Sequence, residues 1–127
     1  MIEANDVRRR LLKATPSFQS SLEVLLAEWK SEPPGICLEL AEFGLYLAEL
    51  LRDGNLDDAT AGLQVIEQLL LDGTPKVKDA ASTCGLEALD AHAAAFGLDT
   101  KGWGGLLPPA ARAFLVDWHG DPGRCAP

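Results

Sequence analysis

The sequence predicts an all-α protein, a compact stack of five or six antiparallel helices, and three observations lead there. Apolar residues recur at intervals of three and four along most of the chain, the period of a helix with one buried face. No stretch shows the period-two alternation of a half-buried strand. The chain also writes one helix-stop, helix-start signal twice: "LLRDGNLDD" at 50–58 and "LLLDGTPKV" at 69–77. Each copy is paired leucines, Asp-Gly and a small polar residue.

The elements follow in order. Asn5 or Asp6 caps a first helix that runs to about Lys13. Thr15-Pro16 then sets a capping hydroxyl before Pro at a first helical position, opening a second helix to about Lys30 with Phe18, Leu22, Leu25, Leu26 and Trp29 on one face. "SEPPG" stops it, because a residue before Pro is pushed out of helical geometry. The third helix spans Ile36–Arg52, with Ile36, Leu40, Phe43, Leu47, Leu50 and Leu51 inward and Gly54 as the left-handed stop. Asn55 opens the fourth, which buries Leu56, Ala59, Leu63, Ile66 and Leu70. Thr74-Pro75 repeats the Thr-Pro start for a fifth, carrying Val77, Ala80, Ala81, Cys84, Leu89, Ala93 and Phe96 inward. Residues 97–107 read as a Gly-rich loop held by Trp103, and Pro108 starts a last helix through about Trp118. Short turns between helices of similar length make antiparallel neighbours, so the two Asp-Gly turns predict stacked HEAT-like hairpins. We assign one helical domain to 1–119 and a flexible tail to 120–127.

A chain of 127 residues suffices for one domain whose core needs neither disulfide nor metal. No apolar run is long enough for a membrane span. The N-terminus "MIEANDVRRRLLKA" lacks the apolar core of a signal peptide. Cys37, Cys84 and Cys125 are odd in number, irregularly spaced and without a CxxC, which predicts free thiols rather than a disulfide framework. Together these features predict a cytoplasmic protein.

The net charge of −8 is unevenly spread. Residues 31–72 hold nine acids and one base, Arg52, whereas the flanking segments are close to neutral. Such a segment repels nucleic acid and anionic lipid and attracts a basic protein. The plain alternative is solubility. The basic run Arg8-Arg9-Arg10 with Lys13 reads as a solvated helix face, too small to hold nucleic acid inside an acidic chain.

No catalytic or cofactor chemistry emerges. Asp53–Asp58 resembles the start of a calcium loop, but Asp58 stands where Gly is needed and Gln64 where Glu is needed. His92, His119, Cys84 and Cys125 lack the paired spacing of a zinc site. Cys84 and His92 sit eight residues apart on one helix, roughly 12 Å along its axis, too far for a nucleophile–base pair. "GWGG" has no preceding strand to make it a phosphate cradle. We therefore expect no enzyme activity, no metal and no cofactor.

The strongest candidate is a stripe. Glu39, Glu42, Tyr46, Glu49 and Asp53 recur at spacings of three and four, on a face read as roughly opposite the apolar one. Asp57 and Asp58 extend the acidity into the next helix. An exposed Tyr46 amid carboxylates would suit a binding hot spot, while a solvated face is the ordinary alternative.

The order of signals also resembles a family of small, acidic, all-helical bacterial immunity-type proteins, the protective partners of secreted toxins. The residues that carry it are Ala27-Glu28-Trp29 ending an early Phe-containing helix, Glu42-Phe43 in a Leu-rich helix, the Gly-Asn/Asp turns, Ile66-Glu67 and Leu86-Glu87 in successive helices, and Leu107-Pro108 before a last helix ending near Trp118. They span about residues 16–119. The resemblance implies an inhibitor that occludes a toxin's basic active site with an acidic helical surface. A HEAT-like adaptor with no toxin partner is the alternative.

Overall fold

The computed structural model describes residues 1–29 and 35–119. Six long helical rods and one short helix account for most of them: α1 (Ala4–Ala14), α2 (Gln19–Glu28), α3 (Ile36–Arg52), α4 (Leu56–Asp72), a continuous rod made of α5 (Pro75–Asp79), a π-helical segment (Ala80–Leu86) and α6 (Glu87–Ala95), the short α7 (Thr100–Trp103), and α8 (Pro109–His119). No strand occurs among the described residues; the only extended pairing there is an isolated bridge between Ile2 and Gly73. The fold is all-α, as the periodicity predicted. The "SEPPG" break at 31–35 (apart from Gly35), the 120–127 tail and Cys125 lie outside the described residues.

Both Asp-Gly turns fall where the repeated phrase put them. Gly54 has φ +77°, the left-handed geometry that ends α3 without a side-chain clash. Gly73 ends α4 differently, in extended geometry. A Cβ there would meet Leu69 O at 2.4 Å and Val77 Cγ1 at 2.7 Å. The N-terminus closes this turn, with Ile2 N donating to Asp72 O (2.7 Å) and Thr74 N donating to Ile2 O (2.9 Å).

The two Thr-Pro pairs do different jobs. Thr74 Oγ1 accepts from Val77 N and caps α5 as expected. Thr15 is buried, and its hydroxyl donates back to Leu11 O at 2.7 Å. It closes α1 instead of opening α2, and a 3-10 turn, Pro16–Phe18, precedes α2. The first helix is capped by Glu3, in a reciprocal box with Asp6, rather than by Asn5 or Asp6 alone.

One core runs through the helices from α1 to α8. Phe18, Phe43, Leu40, Leu47, Leu63, Ile66, Leu86, Leu89 and Leu115 are fully buried in it. In α4, Val65 and Leu69 are buried, whereas Leu56 is exposed and Leu70 only half-buried. The rod α5–α6 crosses α3 at glycines. A Cβ on Gly44 would lie 2.5 Å from Gly85 O and 2.9 Å from Leu89 N. Ser82 and Thr83 hydroxyls donate to the carbonyls of Lys78 and Asp79, which loosens the α register where the π segment begins.

Cys37 and Cys84 are joined by a disulfide, with Cα atoms 5.2 Å apart. The free-thiol expectation is thereby corrected for these two. Their 47-residue separation in sequence hid a pairing that only the α3–π-segment contact creates.

Glu67 was expected only as half of a family phrase. It is buried, and its carboxylate accepts from Ala110 N (2.8 Å) and Ala111 N (2.9 Å) at the start of α8. It supplies the cap that Pro108-Pro109 cannot, and places a negative charge at the positive end of the helix. Glu67→Ala is expected to cost about 2–3 kcal/mol, with Glu67→Gln intermediate because an amide offers one acceptor oxygen. Urea titration of both variants measures it; a Glu67→Ala protein as stable as the parent would remove this role.

Candidate partner-binding surface

The predicted stripe divides on folding. Glu39 and Tyr46 are buried, at 5% and 7% exposure. The Tyr46 ring packs at 5.3 Å from Phe18 and 5.8 Å from Phe43, and Phe18 and Phe43 meet edge-to-face at 4.9 Å. The Tyr46 hydroxyl hydrogen-bonds Ser17 Oγ. Glu39 is paired with Arg8, whose Nε donates to it at 3.0 Å. Neither residue is the exposed contact the spacing suggested, and Tyr46 belongs to the core. Arg8, in turn, is not merely a solvated base.

The reason is angular. At 100° per residue the stripe's mean direction lies about 110° from that of the apolar face, beside it rather than opposite. α3 is also the central helix, with α1, α2, α4 and the α5–α6 rod packed around it. No residue from Glu39 to Leu51 is fully exposed.

The remaining acids form two neighbouring groups. Glu42 and Glu49 are half-buried on α3, and Glu28 at the end of α2 is exposed. Their fields meet at Glu42, whose carboxyl is pushed above the ordinary carboxylate range, first by burial and then by Glu49 and Glu28. His92 of α6 draws it partly back. Glu28 entered the sequence reading only through Glu-Trp; its closeness to α3 depends on how α2 packs, which no spacing rule encodes.

The second group is at the α3–α4 turn. Asp53 and Asp57 are exposed and Asp58 is half-buried. Arg52 Nε donates to Asp53 Oδ1 at 3.0 Å, and the guanidinium lies 4.7 Å above the Phe96 ring. Asn55 Nδ2 donates to Asp58 Oδ2 at 3.1 Å. Asp53 is thus partly neutralised, whereas the Glu28–Glu42–Glu49 group carries mutual repulsion.

Near that turn lies an apolar cleft of about 300 Å³, lined by Leu51, Leu56, Leu98, Gly102, Leu106 and Trp103, with Asp99 on its wall. Trp103 is buried as the loop reading expected, though α7 and a 3-10 turn replace a plain loop. Cys84, bonded to Cys37, is neither a free nucleophile nor a thiolate ligand. Among the described residues no group of three or more His, Cys, Asp or Glu is placed to hold a metal ion. No helix among them is long and apolar enough to cross a membrane.

No curated protein and no solved structure matches the chain. A family match does cover residues 8–117, from the first arginine of α1 to the last turn of α8. The chain belongs to the DUF7674 family, described as a domain of unknown function.

Proposed function

We propose that the protein is an immunity-type inhibitor, which binds a cognate secreted bacterial toxin one-to-one and covers its basic active site with the acidic face built by Glu28, Glu42 and Glu49 and continued by Asp53, Asp57 and Asp58. The observation that carries this reading is the crowding at Glu42. A half-buried carboxylate held beside two others costs the free protein stability. A partner's Lys or Arg relieves that cost on binding, and the same field speeds encounter. On this reading the protein performs no catalysis, holds no cofactor, and avoids nucleic acid and anionic membrane through like-charge repulsion. A toxin that acts in the cytoplasm would place its inhibitor there.

The pH dependence follows from the sign of the shift. Because the folded-state pKa of Glu42 is raised, the folded chain takes up its proton more readily than the unfolded chain. Stability therefore falls as pH rises from the ordinary carboxylate range through the raised value. A bound cation pulls the pKa back down, so affinity is lost as pH falls through that window. Glu42→Gln is expected to leave the free protein as stable as the parent or slightly more so at neutral pH. It should weaken binding about tenfold and remove this part of the pH dependence. The experiment captures the partner from the source organism with the tagged chain, then titrates it calorimetrically against parent and variant across the carboxylate range. Equal affinities for both would remove Glu42 from the interface.

A second reading, an adaptor without a toxin partner, draws on the apolar cleft at Leu56. Under it, Leu56→Asp abolishes capture of the partner while Glu42→Gln does not.

A further inference from the structure

From the disulfide's position we infer a redox latch on α3, independent of the docking reading. Cys37 is exposed and Cys84 half-exposed, so the bridge stands at the surface where a reductant can reach it. It ties the first turn of α3 to the π segment Ala80–Leu86. Apart from the bridge that turn is held lightly: Gly35 offers no side-chain cap, Leu38 is exposed, Ile36 is only half-buried against the core, and the next fixed point is the Glu39–Arg8 pair. The π segment is likewise a less stable helical register, and Ser82 and Thr83 hydroxyls draw on its preceding carbonyls.

Among the described residues the fully buried core holds no sulfur, and Cys84 only packs half-buried against it. Leu40, Phe43 and Leu47 of α3, Leu86 and Leu89 are buried, and Gly44 meets Gly85 backbone to backbone. Opening the bridge therefore leaves the fold standing and loosens its two ends of attachment, 36–41 and 80–88. The reductant is a dithiol. One of its thiolates attacks a sulfur of the bridge and releases the other cysteine as a thiolate; its second thiol then closes onto the mixed disulfide. Two electrons pass to the protein, two protons finish on Cys37 and Cys84, and the dithiol leaves as its own disulfide. In a reducing compartment the latch is open, and oxidising conditions close it.

The test uses full-length protein with Cys125→Ser, so that free thiols report on the latch alone. Without denaturant, dithiothreitol is expected to raise the thiol count from none to two. The far-ultraviolet circular dichroism should be retained, and hydrogen exchange should rise about tenfold at 36–41 and 80–88 while α1 and α4 are unchanged. Reoxidation should restore protection, and Cys37→Ser/Cys84→Ser should show the loosened pattern with or without dithiothreitol. The latch is overturned if both thiols are free in the air-oxidised protein, or if the bridge is reduced only in denaturant. Unfolding of the whole chain on reduction, or unchanged exchange in the reduced protein, overturns it equally.

Discussion

Alanine at position 44 is expected to destabilise the fold by about 3 kcal/mol or more. The expectation runs against helix propensity, which favours Gly→Ala by about 1 kcal/mol in a helix interior. Packing decides the sign. The new methyl carbon would lie 2.5 Å from Gly85 O, 2.9 Å from Leu89 N and 3.0 Å from Ala88 Cβ, so two of the three nearest atoms are backbone. Backbone in a packed rod cannot swing aside as a side-chain tip can, and α3 and the α5–α6 rod must separate along their crossing. Gly102→Ala is the control, because a Cβ there meets nothing within 4 Å. Thermal and urea unfolding of both variants checks the contrast; a Gly44→Ala protein as stable as the parent would mean that α3 does not approach the rod at this point.

Removing the Cys37–Cys84 bridge is expected to cost about 4 kcal/mol, the loop-closure term for a sequence separation of 47. The loss acts mainly on the unfolded chain, which regains the freedom of that loop. Cys37→Ser/Cys84→Ser is therefore expected to melt about 10–20 °C below the oxidised parent, still cooperatively. Its melt should coincide with that of the reduced parent. A double variant as stable as the oxidised protein would mean the bridge does not close that loop.

The elements of this fold were legible because helix signals are local. The bounds of α3 were read from its apolar spacing and Gly54, and the Asp-Gly turns from their repeated phrase. Leu47 and Ile66, read as inward-facing on neighbouring helices, are both buried. What failed depends on how helices surround one another. Glu39 and Tyr46 lie beside the apolar face rather than opposite it, and spacing along one helix does not show that Arg8 of α1 and the 3-10 turn Pro16–Phe18 cover that flank. The partner of Cys37 and the role of Glu67 were hidden for the same reason, each contact spanning more than 40 residues. Thr15 and Thr74 show the limit of motif reading. The same dipeptide caps a helix at one site and ends the preceding helix at the other, according to where its hydroxyl finds a free backbone group.

Of the acids expected on the binding face, Glu42, Glu49, Asp53, Asp57 and Asp58 are exposed or half-buried, and the packing of α2 adds Glu28 beside Glu42. The most direct measurement of that face's role is the association rate constant with the captured partner, taken by stopped flow at low and high salt, for the parent and for Glu28→Lys/Glu42→Lys/Glu49→Lys. The parent rate is predicted to fall steeply with salt. The variant is predicted to associate at least about tenfold more slowly at low salt and to lose that dependence, with circular dichroism unchanged. Parent and variant rates that coincide at every salt concentration would contradict the account.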